Sequence, residues 1–152
     1  MTQHLGSAAT VAGAPSEVEW TPARVFLLIT TIVHLPLALV GFLTDRTFPI
    51  GAQAAEAAGS AHIFGFLETN GWHTLGALIV GLVALRGTLN RRAARPAALT
   101  LGVTHVALFL SLVIWEPSTF WIASNNADQF VHAFTAIAGT ASGLATRSSF
   151  VS

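Results

Sequence analysis

The sequence predicts an all-α integral membrane protein, a four-helix bundle with both termini in the cytoplasm. Three observations predict it. Of the 152 residues, 53% are hydrophobic and 9% charged, against about 25% charged in ordinary soluble domains. Mean hydropathy is +0.64, and there are too few charged side chains to cover a soluble surface. Uncharged apolar runs long enough to cross a ~30 Å hydrocarbon core recur along the chain. The arginines between them segregate: Arg24, Arg86, Arg91, Arg92, Arg95 and Arg147 fall on one side and Arg46 on the other. The positive-inside rule makes the first side cytoplasmic. The opposite side carries Asp45, Glu56, Glu68, Glu116 and Asp128 against Arg46, a formal −4.

Residues 1–21 read as a disordered cytoplasmic tail: small, polar and interrupted by Pro and Gly, with Glu17 and Glu19 as the only charges. No basic region precedes an apolar core there, so a signal peptide is not expected. Residues 22–147 form the transmembrane domain. The first span is Val25–Thr44, marked at its start by Trp20 and Arg24, with Pro22 suited to a first helical turn. His34 and Pro36 interrupt it near the middle, and Pro36 is expected to kink it.

Asp45–Glu68 is predicted as a loop, with a short surface helix over Gln53–Ala58 and His62, Phe64 and Phe66 near the interface. Gly71–Leu85 is the second span, capped by Thr69 or Asn70, with Trp72 as an interfacial residue. Ala97–Trp115 is the third, with His105 near its midpoint, and it stops at Glu116-Pro117 because the residue before proline is pushed off the helical region. Phe120 and Trp121 anchor the next loop. The fourth span, residues 128–146, is the least hydrophobic, and residues 148–152 make a short tail.

Small residues let helices approach closely where lipid supplies no hydrophobic drive for association. Ala77 and Gly81 are such a pair in the second span. Gly139 and Gly143 form a GxxxG in the fourth, suited to packing in the bundle or to self-association. The arginine run 86–95 sets topology and can meet anionic lipid headgroups.

Two stretches carry most of the polar chemistry. One is Asn125-Asn126-Ala127-Asp128-Gln129-Phe130-Val131-His132, and the other is His73-Thr74-Leu75 with Gly81 beyond it. Around them, Phe66–Leu85 and Phe120–Gly143 resemble a bacterial, largely actinobacterial family of four-helix membrane proteins catalogued as domain of unknown function 4383. The matching positions are His73, Gly81, Asn125, Ala127, Asp128 and His132; the second histidine of the family's earlier motif falls here on Ala77. The resemblance implies architecture and no activity. Aligning the two stretches gives an internal echo, His73 with Asp128 and Ala77 with His132, at the outer ends of two helices running the same way.

Asp128 suits a helix N-terminus, where a carboxylate binds free N–H groups and meets the positive end of the dipole. It and His132 also share one helix face. With His73 they are candidates for a divalent metal or a proton site, and Glu68, Glu116 and His62 are nearby candidates. His34 and His105, both mid-span on parallel helices, are candidates for axial ligation of a haem, or for hydrogen bonding between helices.

Zero net charge leaves no footprint for nucleic acid, and the absence of cysteine excludes disulfides, iron–sulfur clusters and thiol catalysis. No catalytic signature such as H-E-x-x-H is present. The sequence therefore predicts a non-enzymatic multi-pass protein of the plasma membrane, structural or accessory, with no assigned cofactor. Its expected partners are the bilayer and a second copy or a membrane complex. A haem- or metal-binding redox protein, and a proton- or ion-conducting unit around Asp128 and His132, are the alternatives.

Overall fold

The computed structural model describes residues 19–114 and 121–147. The expectations for the first 18 residues, for Trp115, Glu116-Pro117 and Phe120, and for the tail 148–152 lie outside the described residues. Five helices and one hairpin are described: α1 (Pro22–Thr44), α2 (Ala52–Ala57), β1 (His62–Ile63), β2 (Leu67–Glu68), α3 (Gly71–Leu89), α4 (Arg91–Ile114) and α5 (Asn126–Ala145).

The starts of the long helices are written in the sequence. Thr21 accepts a hydrogen bond from the Arg24 amide, and Pro22 occupies the first turn of α1, where its missing N–H costs nothing. Asn70, rather than Thr69, caps α3, and Asn125 caps α5. α1 runs unbroken through Pro36. Single-residue Asn90 separates α3 from α4, so α3 extends past the predicted Leu85 to Leu89 and α4 begins at Arg91 rather than Ala97. Charge ends an apolar run but not a helix, because arginine is a good helix former. The hairpin β1–β2, inside the stretch predicted as loop, pairs His62 with Glu68 and Ile63 with Leu67. Two-residue strands are too short to give an alternating pattern.

The long helices run up, down, up, down. One end holds the starts of α1 and α4, the ends of α3 and α5, and all the arginines but one. We call it the arginine end. The other, the loop end, carries α2 and the hairpin. The closest pairs are α1 with α3 and α4 with α5; α4 also meets α1 and α3, and α5 meets α1, whereas α3 and α5 scarcely touch. The α4–α5 contact brings backbone against backbone. A Cβ on Gly102 would stand 2.6 Å from the Thr140 amide nitrogen, and one on Gly139 3.0 Å from the Gly102 Cα. Gly143 packs on Leu99, and Gly81 on Leu35 of α1. The GxxxG of α5 is thus buried within this chain.

The arginine end is tied by polar contacts. Arg24 donates through Nε and one terminal nitrogen to the Thr88 carbonyl, at 3.1 and 2.9 Å. The Ala23 amide donates to the Thr146 hydroxyl at 2.9 Å, and Glu19 pairs with Arg91. Just inside this end Ala23, Leu27, Ala84, Ala94, Ala98 and Leu101 form a buried cluster.

The distribution of side chains is inverted relative to a soluble domain. On α1, Thr30, Thr31 and His34 are buried while Ile29, Ile32, Leu39 and Leu43 are exposed. α1, α3 and α4 are each long and apolar enough to cross a membrane. α5 has the length, at 20 residues, but spends one face on Thr135, Gly139 and Gly143.

Candidate functional site

Four imidazoles, one from each long helix, meet in the loop-end half of the bundle. The His73 and His132 ring centroids are 6.2 Å apart, those of His132 and His105 5.4 Å, and those of His105 and His34 6.1 Å. Counting from the loop-end tips, His73, His132, His105 and His34 lie about 3, 9, 14 and 15 Å along their helices, at 1.5 Å per residue. They form one descending row, from near the tip to the middle of the bundle.

The row lines a chamber of about 230 Å3 whose walls are mainly apolar: Leu37, Trp72, Val80, Leu108, Leu112 and Val131 among them. The polar exceptions are the histidines, Asp128 and the hydroxyls of Thr69, Thr74, Thr104 and Ser111. The chamber lies where α3 and α4 part. Near Asn90 the two helices touch, since a Cβ on Gly87 would stand 2.9 Å from that of Ala97. Further along they face each other across open space. Gly76 and Ile79 of α3 and Thr104 of α4 line the chamber and are also exposed, so its mouth opens sideways between these helices. A side chain at Gly76 would meet nothing within 4 Å. Ile63 and Leu67 of the hairpin cover the loop end.

The polar contacts around the row are specific. The Nδ1 of His34 donates to the Thr30 carbonyl at 3.0 Å and that of His105 to the Leu101 carbonyl at 2.7 Å, each four residues back on its own helix. The Nδ1 of His73 donates to the Glu68 carbonyl at 2.8 Å. A carbonyl only accepts, so these three nitrogens carry the proton. His132 makes no hydrogen bond among the described residues, and its Nδ1 is buried without a partner.

Asp128 is buried, and one of its oxygens accepts two backbone N–H groups, from Asn125 at 2.9 Å and Glu68 at 3.1 Å. The first closes a capping box with Asn125, whose side-chain oxygen accepts from the Ala127 and Asp128 amides. The second fastens the hairpin to α5. The helix starts are cross-linked reciprocally. The Asn70 side-chain amide, at the start of α3, donates to the Trp121 carbonyl in the segment leading to α5. The Asn125 side-chain amide, at the start of α5, donates to the Phe66 carbonyl in the segment leading to α3. The echo aligns His73 with Asp128 because the amide of each donates to the side chain of an asparagine three residues before it. Each close pair also has a histidine bonded to its own helix followed by an asparagine-capped helix.

His73, Asp128 and His132 converge, as their spacing suggests, and His34 and His105 join them rather than forming a site of their own. Ala77, at the family's second histidine position, lines the same chamber. His62 is exposed, and the Glu68 carboxylate accepts from the Gly59 amide, so neither adds to the row. Among the described residues no three acidic or histidine side chains are grouped to hold a metal ion. The chamber, at about 230 Å3, lies below the ~300 Å3 at which pockets for drug-sized ligands begin. Sequence reasoning read Trp72 only as an interfacial residue; Thr104 and Ser111, expected as hydrogen-bonding partners of the mid-span histidines, line the chamber with it. The joint site was open to residue counting, since three of the histidines lie six to ten residues from the loop-end tips.

A family model described as domain of unknown function (DUF4383) matches residues 24–145. The chain matches no curated protein and no solved structure.

Proposed function

We propose, for a chain that belongs to the domain of unknown function (DUF4383) family, that it is a multi-pass membrane protein whose bundle holds a small lipid-soluble molecule in the histidine-lined chamber. The observation that carries this reading is the chamber itself, with one imidazole from each long helix on its wall and a sideways mouth. Polar groups at membrane depth are costly and mark functional sites by default. Here they are gathered at one opening rather than spread along helix contacts.

In this reading all four long helices cross the bacterial plasma membrane. For α5 the support is a stripe of Phe130, Phe134, Ile137 and Leu144, all at least 66% exposed, a spacing that turns one helix face toward lipid. The arginine end is cytoplasmic, because Lys and Arg are retained there. A conducting path is disfavoured. The histidine row stops at mid-bundle, and the cluster of Leu27, Ala84, Ala98 and Leu101 fills the way to the arginine end. Among the described residues no chamber hydroxyl is hydrogen-bonded to an imidazole, and we read the role as binding.

The test is native mass spectrometry of the full chain released from bilayer nanodiscs. A bound small molecule is expected at one per chain in the wild type and lost in Gly76→Phe, which fills the mouth. A wild-type protein that folds and carries nothing, even after incubation with membrane lipid extract, would overturn the reading. Orientation is read separately. The chain has no cysteine, so Asn90→Cys should react with impermeant maleimide only from the cytoplasmic side and Gln53→Cys only from the opposite side.

A further inference from the structure

We infer that the chamber's ligand is a neutral molecule whose head group donates a hydroxyl hydrogen to the imidazoles, an inference that rests on the chamber being a binding site. Three of the four histidines have their protonated nitrogen fixed, by Nδ1–H donation to the carbonyls of Thr30, Glu68 and Leu101. In a neutral imidazole the other nitrogen then carries a lone pair and can only accept. Among the described residues no hydrogen bond engages the Nε2 of His34, His73 or His105, whose bonds are all made through Nδ1. The Nδ1 of His132 is buried without a partner, and that ring keeps one N–H of its own on either nitrogen. Three imidazole acceptors are thus set against a single unengaged imidazole donor, that of His132, and the site is short of donors.

Each alternative meets an obstacle on the wall. A head group with acceptors alone, such as an ether or ketone, leaves these lone pairs unpaired in an apolar room, which costs more than the missing bond alone. Water meets the same need, so a molecule that displaces it must bring a donor or lose those bonds. An ammonium group would have to pair with the one Asp128 oxygen that the two backbone N–H groups leave free, in an otherwise apolar room. A metal ion needs several ligands turned to one point, and no such group occurs among the described residues. The hydroxyls of Thr104 and Ser111 suit either role and decide nothing. With about 230 Å3 available, the room takes a ring-sized head, and the sideways mouth leaves an alkyl tail in lipid. An alkylphenol fits this description.

Trp72 lies on the chamber wall, which supplies a reporter. In nanodiscs, quenching of the full chain's tryptophan fluorescence is titrated with a ring-brominated alkylphenol and with its methyl ether, matched in tail length. The phenol is expected to quench saturably and to bind at least about tenfold more tightly than the ether, the value of one hydrogen bond of ~1.4 kcal/mol. The preference should shrink in His105→Phe and in His132→Phe. The comparison within the wild type needs neither variant to fold. Equal affinities for phenol and ether would overturn the donor requirement while leaving the binding site standing. Saturable quenching by neither would overturn both. One equivalent of Zn(II) or Ni(II) bound by the wild type and lost in His132→Ala, measured by isothermal titration, would replace the hydroxyl ligand with a metal ion.

Discussion

Asp128 distinguishes a structural carboxylate from a chemical one, and a pair of substitutions separates the two. Both backbone N–H groups that it binds land on the same oxygen, at 2.9 and 3.1 Å. Asparagine keeps an oxygen that can occupy that place and loses only the charge, so Asp128→Asn should cost roughly 0.5–1 kcal/mol, the increment of charge assistance and helix dipole. Asp128→Ala removes the capping box, worth ~1 kcal/mol. It also orphans the buried Glu68 amide, at ~1–3 kcal/mol. The sum is about 2–4 kcal/mol. For a domain of this size each kcal/mol moves the midpoint by ~2–4 °C, so alanine should lower Tm by on the order of 10 °C and asparagine by a few degrees. Circular dichroism melts of the detergent-solubilised full chain, at matched detergent concentration, provide the measurement. If asparagine proves as damaging as alanine, the negative charge itself is required, and the capping account of Asp128 fails.

Other expectations follow from the same geometry. His132→Leu removes a buried nitrogen with no partner, so the fold should be unchanged or stabilised by up to ~1 kcal/mol while ligand retention falls; a loss of several degrees in Tm would show that His132 bonds a neighbouring helix after all. Gly102→Ala forces a methyl group to 2.6 Å from the Thr140 amide nitrogen, and helix separation should cost ~1–3 kcal/mol, whereas Gly76→Ala, in open space, should be neutral or stabilising in the same melts. Arg24→Ala deletes both donors to the Thr88 carbonyl and should cost ~1–2 kcal/mol, partly restored by Lys, since lysine offers a point charge without the fork.

The sequence announced what local chemistry decides. Uncharged run lengths placed the four long helices, and six of the seven arginines fall at one end of the bundle as their order in the chain suggests. Asp128 sits in the first turn of its helix, where Asn125 completes a capping box with it. Several features depended on information no single stretch contains. The GxxxG of α5 was visible, but not its partner, because Gly102 stands alone in α4 without a motif. The hairpin was hidden because its strands have two residues each. His34 and His105 read as a separate pair because both lie mid-span on parallel helices, whereas His73 and His132 lie near the starts of theirs. Depth counted from the loop-end tips would have brought at least three of the four together. The echo between the two asparagine-capped helices could be read in the sequence. That each asparagine reaches into the segment leading to the other helix could not, since it depends on how the two pairs pack.

The joint between α3 and α4 has a consequence for selectivity. One residue, Asn90, connects them, and Gly87 against Ala97 leaves no slack beside it. The two helices thus form a wedge with a covalent apex, and the chamber is its open side. Width at the open side follows from the angle at the apex, roughly 20 Å away along α3 at 1.5 Å per residue. A single methyl at Gly87 acts there as a shim. On the proposed binding role, substitution at Gly87 would change the size of molecule admitted without touching it.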